Sequence, residues 1–467
     1  MPLAGYNFTV DPSLHPAASH QHRVLLVTNS YDRNIDGVAL TLNRLVSHLI
    51  RRGHEVLVVV PSRPRGAQPP ALVASGRLVR VPSVKLPIWW EYRLTWGLGR
   101  KVQKQLAAFD PTVVHIAIQD AMGHAAQKWA LTRNIPVVCS HHTRFERYLR
   151  YYGLGYVGLE SLYWFGMRRF HRGCAATLPP SDSLAHVLTA HGIERVGVWP
   201  RGVDCALYNP SHYSEAWRAR VDAAAGAAAA AGGGGRGGGA AAAASGSGTG
   251  SPPPSSPAAP IVLLVARLRW EKGLQEFAAV VNELGARGVV VRVAVVGDGP
   301  AREGLRALLP PSAIFFGELT GLALAEAYAS SDIFLFPSTT EGWGATCLEA
   351  QASGVPVVAT RSSGIVEVLE HSVGGLLAPP HNVSALADHV SLLVNDGKLR
   401  RKMGRDAVKH AATFDWARSG DRMLCEYVRH AGVGASPRLL SLGSRPAPSF
   451  SEQLWTSAGY PPYTCDT

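Results

Sequence analysis

FPSTTEGWGATCLEAQASGVPVVAT, residues 336–360, reads as the end of an apolar strand, a glycine-rich turn, the start of a helix and a second apolar strand. Phe334 to Pro337 form a short run suited to burial. Gly342 and Gly344 let the backbone turn tightly, and the alanine- and leucine-rich ATCLEAQA then opens a helix whose first N–H groups have no partner within it. Such a helix start attracts phosphate. Glu341 in the turn and Glu349 on the second helical turn set a carboxylate on either side of that anion, where each can accept hydrogen bonds from sugar hydroxyls. A nucleotide-sugar fits this arrangement.

On both sides of this stretch apolar strands alternate with amphipathic helices, the pattern of an α/β chain whose parallel sheets are flanked by helices. VLLVTN, LTLNRLVSHLIRRG, EVLVVVP, TVVHIAI, QKWALTRN and PVVCSHH form one series, and IVLLVARL, VVRVAVVGDG, SAIFFGEL, DIFLFPS and VPVVAT form a second. Two doubly wound, Rossmann-like domains are expected, at residues 22–212 and 261–414, facing one interdomain cleft. Between them the Ala/Gly/Ser/Pro tract 223–260 cannot bury a core and is expected to be a disordered insertion near the hinge. Its length is tolerable because loop closure cost rises only logarithmically. Residues 1–21 lack a periodic pattern and are expected to be flexible. Residues 415–432 carry a last helix, and the Pro/Ser-rich tail 433–467 is expected to be disordered.

A chain of 467 residues exceeds one ordinary core, and a hydrophobic fraction of 46% permits two large buried sheets. Six cysteines stand without CxxC or Cys/His ligand spacing, which argues against a disulfide framework and a zinc site and for a reducing compartment, cytoplasm or organelle stroma. The start of the chain lacks a secretory pattern, and no run reaches the roughly 18 apolar residues of a membrane span, so a soluble or peripheral protein is expected. The net charge of +12 comes with no nucleic-acid-binding motif, and no nucleic-acid partner is expected. Residues 144–172 mix Tyr, Trp and Phe with six arginines. That composition suits a helix touching lipid headgroups, and equally suits ordinary helices packing their aromatic faces inside the domain.

Ligands of open parallel sheets bind outside the carboxyl ends of the strands, and the loops there carry marked residues. Gly37 precedes a helix and leaves its backbone open to a diphosphate or an acceptor, although a lone glycine is ordinarily only a turn. Arg267 and Lys272 follow the strand at Val262 to Val265, where in isolation they would read as surface cations. His142, at the end of another strand, would in isolation read as a hydrogen-bonded structural residue. No DxD-like carboxylate pair stands at a strand end, so protein cations rather than a metal are expected on the donor.

The 336–360 stretch resembles the paired-glutamate signature of family 4 glycosyltransferases, which are retaining enzymes of the GT-B fold. DGVALTLNRLVSHLIRRGHEV at 36–56, SHHTRFERYLRYYGLG at 140–155, WPRGVD at 199–204 and ARLRWEKG at 266–273 resemble further landmarks in family order, so that the likeness runs from about residue 22 to 425. Within the family these segments are most similar to the GDP-mannose-dependent mannosyltransferases and the plant-type sulfolipid synthases. The resemblance implies GT-B domains, a last helix crossing the domain junction, and transfer of a hexose from a UDP- or GDP-sugar, a co-substrate rather than a cofactor, to a lipid or glycan acceptor. It implies Arg267 and Lys272 on the diphosphate, Glu341 against the transferred sugar, and Glu349 on the ribose. Gly344, Ala345 and Thr346 would supply backbone N–H groups, and His142 would lie near the transferred sugar. Gly342, Trp343, Ala345 and Thr346 depart from the commoner TFGNVxLEA version, which leaves the donor open.

A nucleotide-sugar epimerase of the same fold is the alternative. A Rossmann oxidoreductase is excluded, because no GxGxxG follows the first strand and VGDGPAREG at 296–304 lacks the spacing. A non-catalytic binding protein would have little use for Arg267, Lys272, Glu341 and Glu349 together.

Overall fold

The central strand sequences are largely apolar because helices cover both faces of each sheet. The computed structural model describes residues 21–32, 37–62, 76–85, 93–142, 158–232, 259–362 and 364–431. In the first domain, strands β1 (Arg23–Val27), β2 (Glu55–Pro61), β3 (Arg77–Val81), β6 (Val113–Ile116), β7 (Val137–Ser140) and β8 (Ala176–Leu178) form a sheet in the order β3-β2-β1-β6-β7-β8, with β4 (Ser83–Lys85) and β5 (Arg93–Thr95) as a separate antiparallel pair. Every neighbour pair in the large sheet is parallel. Leu25, Leu57, Val114 and Ile116 pack under the helices Arg100–Phe109 and Ala121–Leu131. Val24, Leu26, Val58 and Val138 point to the opposite face, under the helices Gly37–Arg51 and Trp416–Ala431.

The second domain repeats this topology. Strands β9 (Ile261–Val265), β10 (Arg292–Val296), β11 (Ile314–Gly317), β12 (Ile333–Phe336), β13 (Val357–Thr360) and β14 (Gly375–Ala378) run in the order β11-β10-β9-β12-β13-β14, all parallel. Strand order reverses between β1 and β6 in one sheet and between β9 and β12 in the other. Those two switch points are where a crevice opens beyond the strand ends. Two Rossmann-like sheets of this kind are the architecture expected from the alternating pattern.

The chain passes between the domains twice, at one place. Trp199 belongs to the first core, whereas Val203 and Tyr208 already belong to the second, so the crossing comes earlier than residue 212. The return strand lies alongside: Val203 N donates to the Phe414 carbonyl at 2.9 Å. A side chain at Gly202 would put Cβ 2.6 Å from Trp416 N, so only glycine lets the two crossings touch. Beyond Phe414, the helix Trp416–Ala431 seats Met423, Leu424 and Tyr427 in the first domain's core.

The Ala/Gly tract departs from expectation at its start. The helix Glu215–Gly232 carries regular structure through its first ten residues, 223–232, since alanine is the best helix former. Trp217 and Val221 anchor this helix in the second domain's core, with Trp217 stacked on Phe316 at 5.0 Å. The tract therefore joins two elements of one domain rather than the two domains. Its remainder, 233–258, lies outside the described residues, as do 1–20, Asp36, 143–157 and the tail from 432.

Candidate active site

The second domain's switch point is built by two loops locked to each other. After β9 the chain makes a short 3-10 turn, Trp270–Lys272, and leaves it through Gly273 at φ 72°. A Cβ on Gly273 would lie 2.5 Å from the Pro337 carbonyl oxygen of the loop after β12, so the loops meet backbone to backbone. Thr340 Oγ1 donates to the Glu271 carbonyl at 2.8 Å, and Lys272 Nζ meets Glu341 Oε1 at 2.6 Å. The side chains of Lys272 and Glu341 are only 13% and 18% exposed, which strengthens a pair that would count for little in open water. Arg267 stands on the same loop as Lys272 and is exposed.

Gly344, at φ 78°, caps the helix Ala345–Ala352. The first helix-type bonds are those from Cys347 N and Leu348 N to the Gly344 carbonyl, which leaves the N–H groups of Ala345 and Thr346 at the helix head without an intrahelical acceptor. The preceding turn is pinned from behind by Gly364, whose N donates to the Glu341 carbonyl at 3.1 Å and whose Cβ, if present, would strike Trp343 N at 2.4 Å. Trp343, where the family pattern usually differs, is buried and meets Phe414 edge-on at 6.0 Å. It points into the fold rather than into the cleft.

Glu349 is held apart from the Lys272–Glu341 pair. Tyr328 Oη donates to its Oε2 at 3.0 Å. Burial raises its carboxyl to about 7, while the Tyr328 hydrogen bond and the Arg44 guanidinium pull it back down. Arg44 comes from the first domain, two turns beyond Gly37 on one helix, where it pairs with Asp204 at 3.2 Å and lies over the Trp416 ring at 5.0 Å. Glu349 thus feels a cation across the domain junction.

On the first domain, His142 follows β7, and its carbonyl oxygen lies 3.8 Å from where a Cβ on Gly342 would stand, so the two domains approach each other here. Arg201 Nη2 donates to His142 Nδ1 at 2.9 Å, and Ser140 Oγ lies 2.8 Å from His142 Nε2. Arginine can only donate, so Nε2 carries the hydrogen and donates to Ser140. Ser140 Oγ also lies 2.8 Å from His115 Nε2, and His115 Nδ1 lies 2.6 Å from Tyr427 Oη. Burial first, then the Arg201 charge, keeps His142 well below its ordinary pKa, and burial puts His115 at about 3. Both rings are neutral, and both nitrogens of His142 are engaged inside the first domain. Its ring is accordingly not placed as a base; its carbonyl and shape are what it presents to the cleft.

Arg201 also passes beneath Gly37, 3.6 Å from where a Cβ would be, and so brings the head of the helix Gly37–Arg51 beside the loop after β7. The structure joins Lys272 directly to Glu341 and keeps Arg267 on the same loop, with Gly344, Ala345 and Thr346 beside them. Glu349 stands separately at Tyr328, while Gly37 and His142 face from the other domain. Arg201, Ser140, His115, Arg44 and Tyr328 were not singled out by sequence. Arg201, Arg44 and Ser140 lie inside the quoted landmarks WPRGVD, 36–56 and 140–155, whereas His115 and Tyr328 had no such signal.

Residues 35–207 match the family described as Glycosyltransferase Family 4, and residues 253–410 match Glycosyl transferases group 1. The chain is 33% identical over 408 residues to the GDP-mannose-dependent alpha-mannosyltransferase of Mycolicibacterium smegmatis, covering 87% of this chain and 96% of that protein. It is 28% identical over 419 residues to the sulfoquinovosyl transferase SQD2 of Arabidopsis thaliana, covering 87% of this chain and 73% of that one. Both are named as transferases, and neither as an epimerase. Among solved structures, the sucrose-phosphate synthase of Thermosynechococcus elongatus superposes with a TM-score of 0.65 at 17% identity, over 86% of this chain and 97% of that one. Anabaena HepE in complex with UDP and glucose superposes with a TM-score of 0.60 at 16% identity, over 86% and 98%. With both domain families matched in order and a relative 33% identical over nearly its whole length, the chain belongs to the family 4 glycosyltransferases and has their GT-B fold.

Proposed function

We propose that the cleft transfers a hexose, with retention at its anomeric carbon, from a UDP- or GDP-sugar to a lipid or glycan acceptor. The observation that carries this reading is the Lys272–Glu341 pair at 2.6 Å, which sets a fixed cation and a fixed carboxylate side by side at the switch point, next to the head of the helix Ala345–Ala352. A diphosphate seated on the N–H groups of Gly344, Ala345 and Thr346 meets Lys272 and Arg267. As the glycosidic bond breaks, charge grows on the leaving oxygens, and cations already in place lower the barrier. Glu341, displaced from Lys272 by the phosphate, accepts from the hydroxyls of the transferred sugar, and Glu349 accepts from the ribose. Gly37 lets the opposing loop come close. The acceptor hydroxyl loses its proton to the leaving phosphate oxygen on the same face, so no enzyme carboxylate forms a bond to the sugar. His142 lies near that sugar and contributes through its carbonyl.

A lipid acceptor is supported by the helix Leu159–His171. Trp164, Met167 and Phe170 are buried, but Leu159, Leu162 and Phe165 form an exposed stripe that continues into the exposed Arg169 and Arg172. An apolar stripe ending in cations is what a surface carrying anionic headgroups would bind. Among the described residues no helix is long and apolar enough to cross a membrane.

The test is a screen of UDP- and GDP-sugars for protection against thermal unfolding, followed by NMR assignment of the anomeric configuration of the product. Protection by one nucleotide class and an unchanged configuration are expected. Failure of every UDP- and GDP-sugar to protect, or an inverted product, would overturn the reading. For the acceptor, Leu162→Asp with Phe165→Asp should abolish sedimentation with anionic vesicles, and undiminished sedimentation would remove the lipid surface from the proposal.

A further inference from the structure

Away from the cleft, three ligand-type side chains converge in the core of the first domain. The sulfurs of Cys139 and Cys174 and a ring nitrogen of His171 all lie within 4.8 Å of one another. Cys139 is on β7, while His171 ends the helix Leu159–His171 and Cys174 follows it by one turn, with Cys174 N donating to the His171 carbonyl at 3.0 Å. All three are nearly inaccessible, at 0%, 1% and 2% for Cys139, Cys174 and His171.

The hydrogen bonds around the three groups are compatible with a ligand role. His171 Nδ1 bonds Thr177 Oγ1 at 2.8 Å, and Nε2 is buried with no hydrogen-bond partner. An imidazole with one nitrogen held by an outer hydrogen bond keeps the other nitrogen available as a ligand. Each sulfur accepts from a glutamine amide, Gln119 Nε2 to Cys139 Sγ at 3.1 Å and Gln127 Nε2 to Cys174 Sγ at 3.3 Å, and each thiol also donates to a backbone carbonyl, Ser140 at 3.7 Å and Phe170 at 3.8 Å. Such donors stabilise a thiolate.

We propose that Cys139, Cys174 and His171 hold a soft divalent metal ion, of the zinc class, at the corner where β7 meets the helix Leu159–His171. Two thiolates and a neutral imidazole balance a divalent charge, so the ion enters a low-dielectric core with no net charge left over. Binding releases two thiol protons to solvent. The ion would serve structure, by fixing the carboxyl end of β7 beside Ser140, from which the chain leads to His142. No single CxxC marks this site, because its ligands come from two elements, with only His171 and Cys174 close in sequence.

The full-length protein, reduced and dialysed against a chelator, is titrated with Zn²⁺ in competition with a chromophoric chelator, and in parallel with Co²⁺. One tightly bound ion per chain, a thiolate-to-cobalt charge-transfer band and a rise in thermal stability are expected. Cys174→Ser and His171→Gln should weaken binding by at least about tenfold to a hundredfold, while Cys205→Ser, at an exposed cysteine, should not change it. Absence of a sulfur-to-cobalt band in the wild-type protein would overturn the site irrespective of how the variants fold. So would a disulfide between Cys139 and Cys174 in protein isolated without reductant.

Discussion

Lys272 Nζ and Glu341 Oε1, 69 residues apart in sequence, meet at 2.6 Å across the reversal of strand order in the second sheet. Neither end of the pair is easily replaced by water at that depth, so an incoming diphosphate exchanges one anionic partner of Lys272 for another. The cation is already oriented when the donor arrives, and orientation fixed beforehand is what makes such a contact count in the transition state.

Lys272→Ala and Arg267→Ala should each lower turnover by about two to three orders of magnitude, the usual loss for one preorganised electrostatic contact. Folding should persist in both, because the loops remain joined by the Gly273–Pro337 contact and the Thr340–Glu271 hydrogen bond. Circular dichroism and steady-state rates check this, and near-normal rates in both variants would put the diphosphate elsewhere.

The two glutamates should fail differently. Glu349→Ala removes hydroxyl contacts present in ground and transition states alike, and should mainly weaken donor binding. Glu341→Ala removes a group beside the reacting carbon, and should reduce the rate more than the affinity. Calorimetry with single-turnover kinetics separates the two, and an inverted pattern would mean that the donor lies the other way round.

Glu349 also sets a pH dependence of definite sign. Its carboxyl titrates near 7 in the folded protein and near its ordinary 4.5 when unfolded, so the native state keeps a proton that the unfolded chain has lost. Its contribution to stability is full below 4.5 and is lost as pH rises through 7. Donor affinity should move the opposite way, since the carboxylate is the better acceptor for ribose hydroxyls. Binding at about pH 6 should be weaker than at about pH 8 by up to roughly tenfold, the ratio one pH unit below a pKa. In Glu349→Gln both trends should vanish, and a wild-type affinity that stays flat across this range would remove Glu349 from the ribose.

The strands were legible because burial on both faces makes them unbroken apolar runs, as in Ile261–Val265 and Ile333–Phe336. The switch-point loops were legible because glycines and charges cluster there within a few residues. Arg201, Ser140 and His115 were not, since their partners lie 59, 25 and 312 residues away. The alanine tract misled for a different reason: composition that reads as low complexity is also strongly helix-forming, and Trp217 upstream seats the helix that runs into it.

Trp217→Ala should therefore cost about 3–5 kcal/mol, the usual range for emptying a buried aromatic site. Deleting residues 233–250, which contain only Gly, Ala, Ser, Thr and one Arg, should leave stability and turnover nearly unchanged. Denaturant unfolding distinguishes the two, and a deletion as damaging as the tryptophan loss would show that the tract is structural.

A line of hydrogen bonds runs from the cleft to the helix Trp416–Ala431. Arg201 fixes its direction: His142 Nε2 donates to Ser140, Ser140 to His115 Nε2, and His115 Nδ1 to Tyr427 Oη. Ser140, His115 and Tyr427 are all wholly buried, so Ser140→Ala and Tyr427→Phe each strand a ring nitrogen of His115, at roughly 1–3 kcal/mol apiece. The two losses should not add. In Tyr427→Phe the ring can change tautomer and donate from Nε2 to Ser140, leaving only a bare acceptor stranded, whereas with both neighbours gone either tautomer strands an N–H, so the double variant should be less stable than the sum by about 0.5 kcal/mol or more. A double-mutant cycle by chemical denaturation measures this, and strict additivity would mean that Ser140 and Tyr427 act on the fold independently rather than through one shared histidine.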